Sequence, residues 1–380
     1  DHFKASNIQG FKVQNTDNLS IQNYTSYNLS DDISLQYCNN VRIDNWYSNH
    51  SLMGLCTGMT KNVSVSNFRI VSDPENTIVH FHAFYLCYGT EDVYISNGEA
   101  IFENKHEKVQ NVHYLGSDDP IDVMMRTPLF SIHADGKEER QKRIYVDNVK
   151  FTAQRIINIR RMIDTPVFSN CTFTTYYPED AIISDNGQLT VYWNTVFNNC
   201  NFNLGDIGVG IESDIDDYTI SLNSCELCCS NRKNPENPSF LLSFYGKFKL
   251  NGCYISWPYY VRKVTDLADT EFYNCTIKLL SERPVVIIST QAATKTSIIN
   301  SFIEGGCYVR YRFAPNEGNL NIVDSHLVSD NTTWYEGTLD TFPASAKIYN
   351  SYHNDKRIST SSDVTDSNAL ATHMVDPHAH

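Results

Sequence analysis

The chain has 380 residues, a formal net charge of −14, 41% hydrophobic residues and only 19% charged ones. The acidic balance argues against nucleic acid as a partner, since phosphates call for a basic face. No apolar run approaches the roughly eighteen residues of a membrane-spanning helix, so no membrane insertion is expected. Asn, Ser, Thr and Tyr are abundant throughout, a mixture that favours strands and turns over helices.

Taken in chain order, short segments keep returning to one pattern. The opening DHFKASNIQGFKVQN already reads as a repeat unit, which suggests a segment cut from a longer polypeptide. Units such as VRIDNWYS, VSVSNFRIV, VFSNCTFT, VFNNCNFN and FYNCTIKL follow it. Their pivots are Asn7, Asn23, Asn45, Asn67, Asn97, Asn148, Asn170, Asn199, Asn223, Asn251, Asn274, Asn300, Asp324 and Asn350. Most gaps are about 22 to 30 residues, a period that marks a stacked repeat architecture. The gap from Asn97 to Asn148 is twice that, so one degenerate coil is expected inside it.

Apolar residues alternate before and after each pivot, which predicts strand, bend, strand. Coiling such units about one axis lets each strand pair in parallel with its equivalent one coil on, with apolar side chains stacked inside. The expected fold is therefore all-β, a parallel β-helix of about fourteen coils. The pivot needs a residue that tolerates left-handed backbone, which Asn does, and repeated Asn is expected to stack as an internal ladder. Residues 1 to 354 form this helix and residues 355 to 380 a polar C-terminal tail.

Cys171, Cys200, Cys225, Cys253 and Cys275 fall at or one beyond the position after a pivot. In NCTF the Cys and Phe are two apart and share a face, so both are expected inside the rod as packing residues. No disulfide framework, metal site or cofactor is implied by these spacings. His80 and His82 share one strand face without a third ligand at suitable spacing. The run KEERQKR, residues 137 to 143, is expected to be a loop leaving the rod.

With the interior filled, chemistry belongs on the outside. In VGIESDIDD, residues 209 to 217, the isoleucines alternate with Glu212, Asp214 and Asp216. Asp185 lies fifteen residues past Asn170 and Asp214 fifteen past Asn199, which suggests that they stack on neighbouring coils. Two carboxyl groups at such spacing suit glycosidic bond hydrolysis. The candidate catalytic residues are Asp185, Glu212 and Asp214. Arg160 and Arg161 could orient an acidic sugar, and Tyr176, Tyr177, Tyr192 and Trp193 could offer flat faces for sugar stacking. A lyase using Arg160 or Arg161 for charge neutralisation, and a rod that binds without cleaving, are the alternatives.

The repeated pivots and alternating strands resemble the right-handed β-helices of the pectin-lyase-like superfamily, bacteriophage tailspikes in particular, over most of residues 1 to 354. That resemblance implies a homotrimer on a virion tail appendage, or another extracellular location, acting on a bacterial surface polysaccharide (capsule, O-antigen or wall glycan). Asp31 and Asp32 also look like the Asp-Asp pair of polygalacturonases. The coil that should carry Gly-His-Gly reads SLMGLCTG instead, so a turn-forming role is the expectation for this pair.

Overall fold

A computed structural model describes residues 4–6, 10–27, 29, 31–49, 51, 53–72, 82–103, 108–112, 121–124, 128–133, 140–160, 162–176, 189–191, 193–205, 207–210, 218–229, 239–243, 246–257, 261–266, 268–279, 285–290, 295–305, 307–311, 319–328, 335–337 and 347–358. Among them there is no helix; strands form a 23-stranded sheet, a 13-stranded sheet and one antiparallel pair. The pairing within both large sheets is parallel, each strand meeting its equivalent from the coils before and after it. Only the last strand, Lys356–Ile358, folds back antiparallel, onto Ser351–His353. This is a parallel β-solenoid, as the repeats predict. The second sheet counts 13 strands, short of the expected fourteen coils.

The first sheet bends at the pivots. Strands such as Asn39–Asn49 and Lys61–Val71 run through the bend, with Asn45 and Asn67 at φ near +53°. The left-handed residue is Asn in most coils, but Ser224 and Gly252, one place after the expected Asn223 and Asn251, hold it in two others. Asn is cheap there because its short amide tolerates the left-handed region. The ladder itself faces out, a correction to the expected internal stack. Asn45 donates to Asn23 Oδ1 at 2.6 Å, Asn199 to Asn170 at 2.8 Å and Asn300 to Asn274 at 2.7 Å, all at exposed positions. On the convex side of a bend the left-handed residue directs its side chain outward, which the period alone does not reveal.

No coil hides between Asn97 and Asn148. Glu91–Ile101 pairs directly with Lys142–Ala153, Val93 meeting Ile144, and the extra length holds the antiparallel pair Lys108–Val112 and Ile121–Met124. The end of the charged run also belongs to the rod. Gln141 is fully buried and donates to the Leu86 carbonyl, while Lys142 and Arg143 open a strand.

Two interior rows fill the first sheet's side of the core. The row one place after the pivot runs Tyr24, Trp46, Phe68, Gly98 and Val149, then Cys171, Cys200, Cys225, Cys253 and Cys275, then Ser301, Ser325 and Ser351. The five cysteines are free and buried, as expected of packing residues. Each thiol donates to a backbone carbonyl of its own coil, such as Cys171 to Ser169 at 3.1 Å and Cys275 to Tyr273 at 3.2 Å. The row three places after the pivot holds Phe151, Phe173 and Phe202, stacked nearly parallel with centroids 5.5 and 4.9 Å apart.

Candidate functional site

Six of the nine residues expected to form a site, Asp185, Glu212, Asp214, Arg161, Tyr177 and Tyr192, lie outside the described residues. The strands beside them fix a register. In the second sheet Asn158 pairs with Thr190 and Thr190 with Gly210. Arg160, Tyr192 and Glu212 each stand two residues past these paired positions. Asp185 instead precedes its strand, Leu189–Val191, while Asp214 follows its own, Ile207–Gly210. The equal count of fifteen from the pivots is therefore not an equivalence by strand register, because the two coils place their second-sheet strand at different distances from the pivot.

Three of the expected members are described. Arg160 is exposed, its backbone N–H held by the Ile132 carbonyl at 3.0 Å. Tyr176 is half-buried, and its N–H bonds the Ala153 carbonyl at 3.0 Å. Trp193 packs against the core and tilts onto Tyr218, their ring centroids 5.0 Å apart.

The Asp-Asp pair is not a turn. Asp31–Gln36 is a strand, and Asp32 is completely buried. Its Oδ2 accepts hydrogen bonds from Ser26 Oγ and, at 3.1 Å, from Trp46 Nε1. Burial pushes the Asp32 carboxyl above the ordinary carboxylate range, against the opposing pull of the surrounding Ser26, Ser48, Tyr24 and Trp46 donors. Asp31, more open, is also raised by burial, with Lys12 opposing. A carboxylate enclosed by the rod wall is structural, since no substrate reaches it.

The acids outside are mostly partnered in the N-terminal coils. Arg143 pairs with both Asp92 and Glu91, and Lys61 and Lys142 approach Glu91 at 3.5 and 3.3 Å. Arg143 holds Asp92 below its usual range. Glu91 is lowered as well, the partial burial that would raise it being outweighed by Lys142 and Lys61. Exposed pairs of this kind contribute modestly to stability and leave their carboxylates ionised, unsuited to act as a general acid.

A different surface dominates the C-terminal coils. Two places after each pivot, on the outer face, Tyr254, Thr276, Phe302, His326 and Tyr352 lie in register on five successive coils. Tyr254 and Tyr352 are 39% and 40% exposed. His326 meets Phe302 edge-on at 5.9 Å and Tyr352 at 6.2 Å, and one of its ring nitrogens is fixed 2.6 Å from the Asn354 carbonyl. Four strand spacings make this row roughly 19 Å long. Beside it runs a ladder of three amides and one carboxylate, Asn274, Asn300, Asp324 and Asn350, linked at 2.7 Å from Asn300 to Asn274 and from Asn350 to Asp324. An amide carries two N–H donors and two acceptor lone pairs. Each of these two links uses one N–H of the donating amide and one oxygen of its acceptor, at exposed positions alongside the rings.

No family model matches the chain, and no curated protein matches it. Among solved structures, PfbA, a surface adhesin of Streptococcus pneumoniae, aligns over 88% of this chain and 81% of its own at 8% identity and a TM-score of 0.43. At that score the likeness carries no weight for function, and the solenoid rests on the strand pairing described above.

The outer row was readable in the repeats themselves. Aligned on the left-handed residue, GCY, NCT, NSF, DSH and NSY place Tyr, Thr, Phe, His and Tyr in one column.

Proposed function

We propose that this protein is a surface-displayed β-helical rod that binds a bacterial surface polysaccharide along its side. The observation that carries the reading is the row from Tyr254 to Tyr352 beside the outward amide ladder. Aromatic rings cover the C–H faces of sugars and amides bond their hydroxyls; here rings stand at four of five successive levels and amides at three of the four ladder positions beside them. A linear polymer lying parallel to the rod would meet the same chemistry coil after coil, and modest contacts would add through many subsites.

A second reading adds hydrolysis. What supports it is sequence position: Arg160, Tyr192 and Glu212 each follow by two residues one of the paired residues Asn158, Thr190 and Gly210, and Asp214 comes two residues after Glu212. Asp185, Glu212 and Asp214 remain its proposed acids, and Arg160 and Arg161 its proposed contacts to an acidic sugar, with Tyr176, Tyr177, Tyr192 and Trp193 as further sugar contacts. Assembly as a homotrimer on a tail appendage belongs to this same reading.

One experiment addresses both. Capsular, O-antigen and wall polysaccharides are incubated with the wild type, with Tyr254→Ala/Tyr352→Ala, and with Asp214→Asn; binding is read by interferometry and products by mass spectrometry. Binding of intact polymer, weakened about tenfold or more in the double tyrosine variant, is the expected result. Oligosaccharide products that disappear with Asp214→Asn would establish the hydrolytic reading. Unchanged binding by the tyrosine variant would overturn the role of the row.

A further inference from the structure

The corner that ends the second-sheet strands repeats a left-handed residue on four coils: Asn15, Tyr37, Met59 and Tyr88, at φ of 51°, 53°, 50° and 46°. Tyr37 N–H donates to the Gly58 carbonyl at 3.0 Å and Met59 N–H to the Tyr88 carbonyl at 2.5 Å, so the corners stack directly. Asn15 shows the inexpensive solution. A bulky side chain in this region is a conformational outlier, and a local cost of this kind persists where something else is gained.

Packing does not supply the gain at Tyr37, which is 62% exposed, and it does so only partly at Tyr88, which is 41% exposed. Fully buried rings such as Trp46 and Phe202 fill the core, whereas Tyr37 is the most exposed large hydrophobic residue among those described. The neighbouring row points the same way. Gln14 and Gln36, side by side with an amide link of 2.7 Å, give way to Gly58 one coil on. A Cβ at Gly58 would lie 3.8 Å from Tyr88 Cβ and from its ring Cδ2, so a side chain there would pack against Tyr88, and glycine adds none. Met59 is the middle member of the three, and its Sδ would lie 2.9 Å from a Cβ placed on Gly89.

From this arrangement we infer that the Tyr37, Met59, Tyr88 corner is a second carbohydrate subsite, which takes a neutral sugar unit between its two rings. The rings stand two coils apart, roughly 9 to 10 Å. Aromatic and thioether surface with a primary amide at the edge, and no charged side chain among Tyr37, Gly58, Met59, Tyr88 and Gln36, matches an uncharged polyhydroxylated ring better than an ion or an acidic sugar. The inference deepens the proposed glycan-binding function and rests on it for the class of ligand. It differs in place, being built from the N-terminal coils and from a different corner.

The test uses the whole chain and a panel of neutral hexasaccharides of glucose, N-acetylglucosamine, mannose and galactose, with affinity measured by calorimetry. Tyr37→Asn and Tyr88→Asn copy the residue already accepted at position 15. If these tyrosines served the fold, the change would lower the melting temperature; the expected result is an unchanged or higher melting temperature with about tenfold weaker binding of a panel member. Tyr254→Ala/Tyr352→Ala is run beside them. Loss in the corner variants supports the inference, whether or not the tyrosine pair of the C-terminal row also matters. Loss confined to that pair overturns the inference and leaves the proposed function standing. A wild type that binds no member of the panel, or corner variants that melt earlier and bind normally, overturns the inference too.

Discussion

The two ends of the rod solve the same packing problem in opposite ways. In the N-terminal coils the row after the pivot is large, Tyr24, Trp46 and Phe68, and the row two places further on is small, Ser26 and Ser48 before Ile70 and Ala100. From Cys171 onward the first row is small and the second is large, led by Phe173 and Phe202. The transition lies at Gly98 and Val149. A Cβ on Gly98 would sit 2.4 to 2.5 Å from the Phe68 ring, so the ring of one coil occupies the space its neighbour leaves. A coil of fixed cross-section demands a constant filled volume, and the sequence is free to choose which wall supplies it. Putting the bulk after the pivot has a polar consequence, because the small Ser26 opens room for Asp32, to which it donates.

Truncating the large member of each row should produce the largest effect. Trp46→Ala removes a ring and a donor to Asp32, and Phe202→Ala removes one member of the stacked phenylalanines. Each is expected to cost about 3–5 kcal/mol. In a solenoid, stability is a sum of coil and nearest-neighbour terms, so the damage should stay local. Hydrogen exchange should show lost protection around residues 20–70 for Trp46→Ala and around 168–255 for Phe202→Ala. Uniform loss along the chain in both variants would show that the two packing regimes are not separate cooperative units.

An intermediate effect is expected at Asp32. Its folded-state pKa is raised above the unfolded value of about 3.9. Protonation therefore favours the fold, so its contribution is fully present below about pH 4 and is lost as the pH rises through the folded-state value. Asp44, Asp92 and Glu91 are lowered and act in the opposite sense, contributing above their unfolded values and losing that contribution in acid. Asp32→Asn should remove only the first dependence. Relative to the wild type, the variant should gain stability between pH 4 and neutrality, on the order of 1–3 kcal/mol, the usual penalty for a poorly compensated buried polar group. Denaturation midpoints that fall in parallel for both proteins over that range would rule the assignment out.

The fold was largely legible because its causes are local. Left-handed Asn, alternation and a constant period each leave a mark in the one-dimensional string, and Cys171 to Cys275 declared their inward position through their spacing to Phe, Leu or Ile. Direction and register were harder to read. Nothing in the period says that the Asn ladder faces out. The pairs Asn223-Ser224 and Asn251-Gly252 each offer two residues suited to the bend; only the rule that the cysteine directly follows the pivot decides between them. The stacking of Asp185 with Asp214 was the least legible step, because counting from Asn170 and Asn199 assumes equal coils. The second-sheet strands begin at Leu189 in one coil and Ile207 in the next, nineteen and eight residues after those pivots. Insertions of this size shift any outer residue that follows them, and a solenoid accepts them freely because loop closure grows only slowly with length.

The smallest effect should come from the cysteine row, and it bears on why that row changes at its far end. Ser301, Ser325 and Ser351 continue the stack with the same bonds, each hydroxyl donating to the carbonyl two residues back at 2.7 to 2.9 Å. The hydrogen bond with the Cys171 thiol, together with burial, pushes Cys200 up to about 12, so this thiol stays neutral and packs rather than reacts. Cys225→Ser should then be accepted at a cost below about 1 kcal/mol, since the hydroxyl takes over the carbonyl bonds at slightly smaller volume. Cys225→Val keeps apolar bulk and loses those bonds. If the row is chosen for its bonds to backbone carbonyls, valine will melt earlier than serine; if it is chosen for apolar volume alone, the order of the two melting temperatures will reverse.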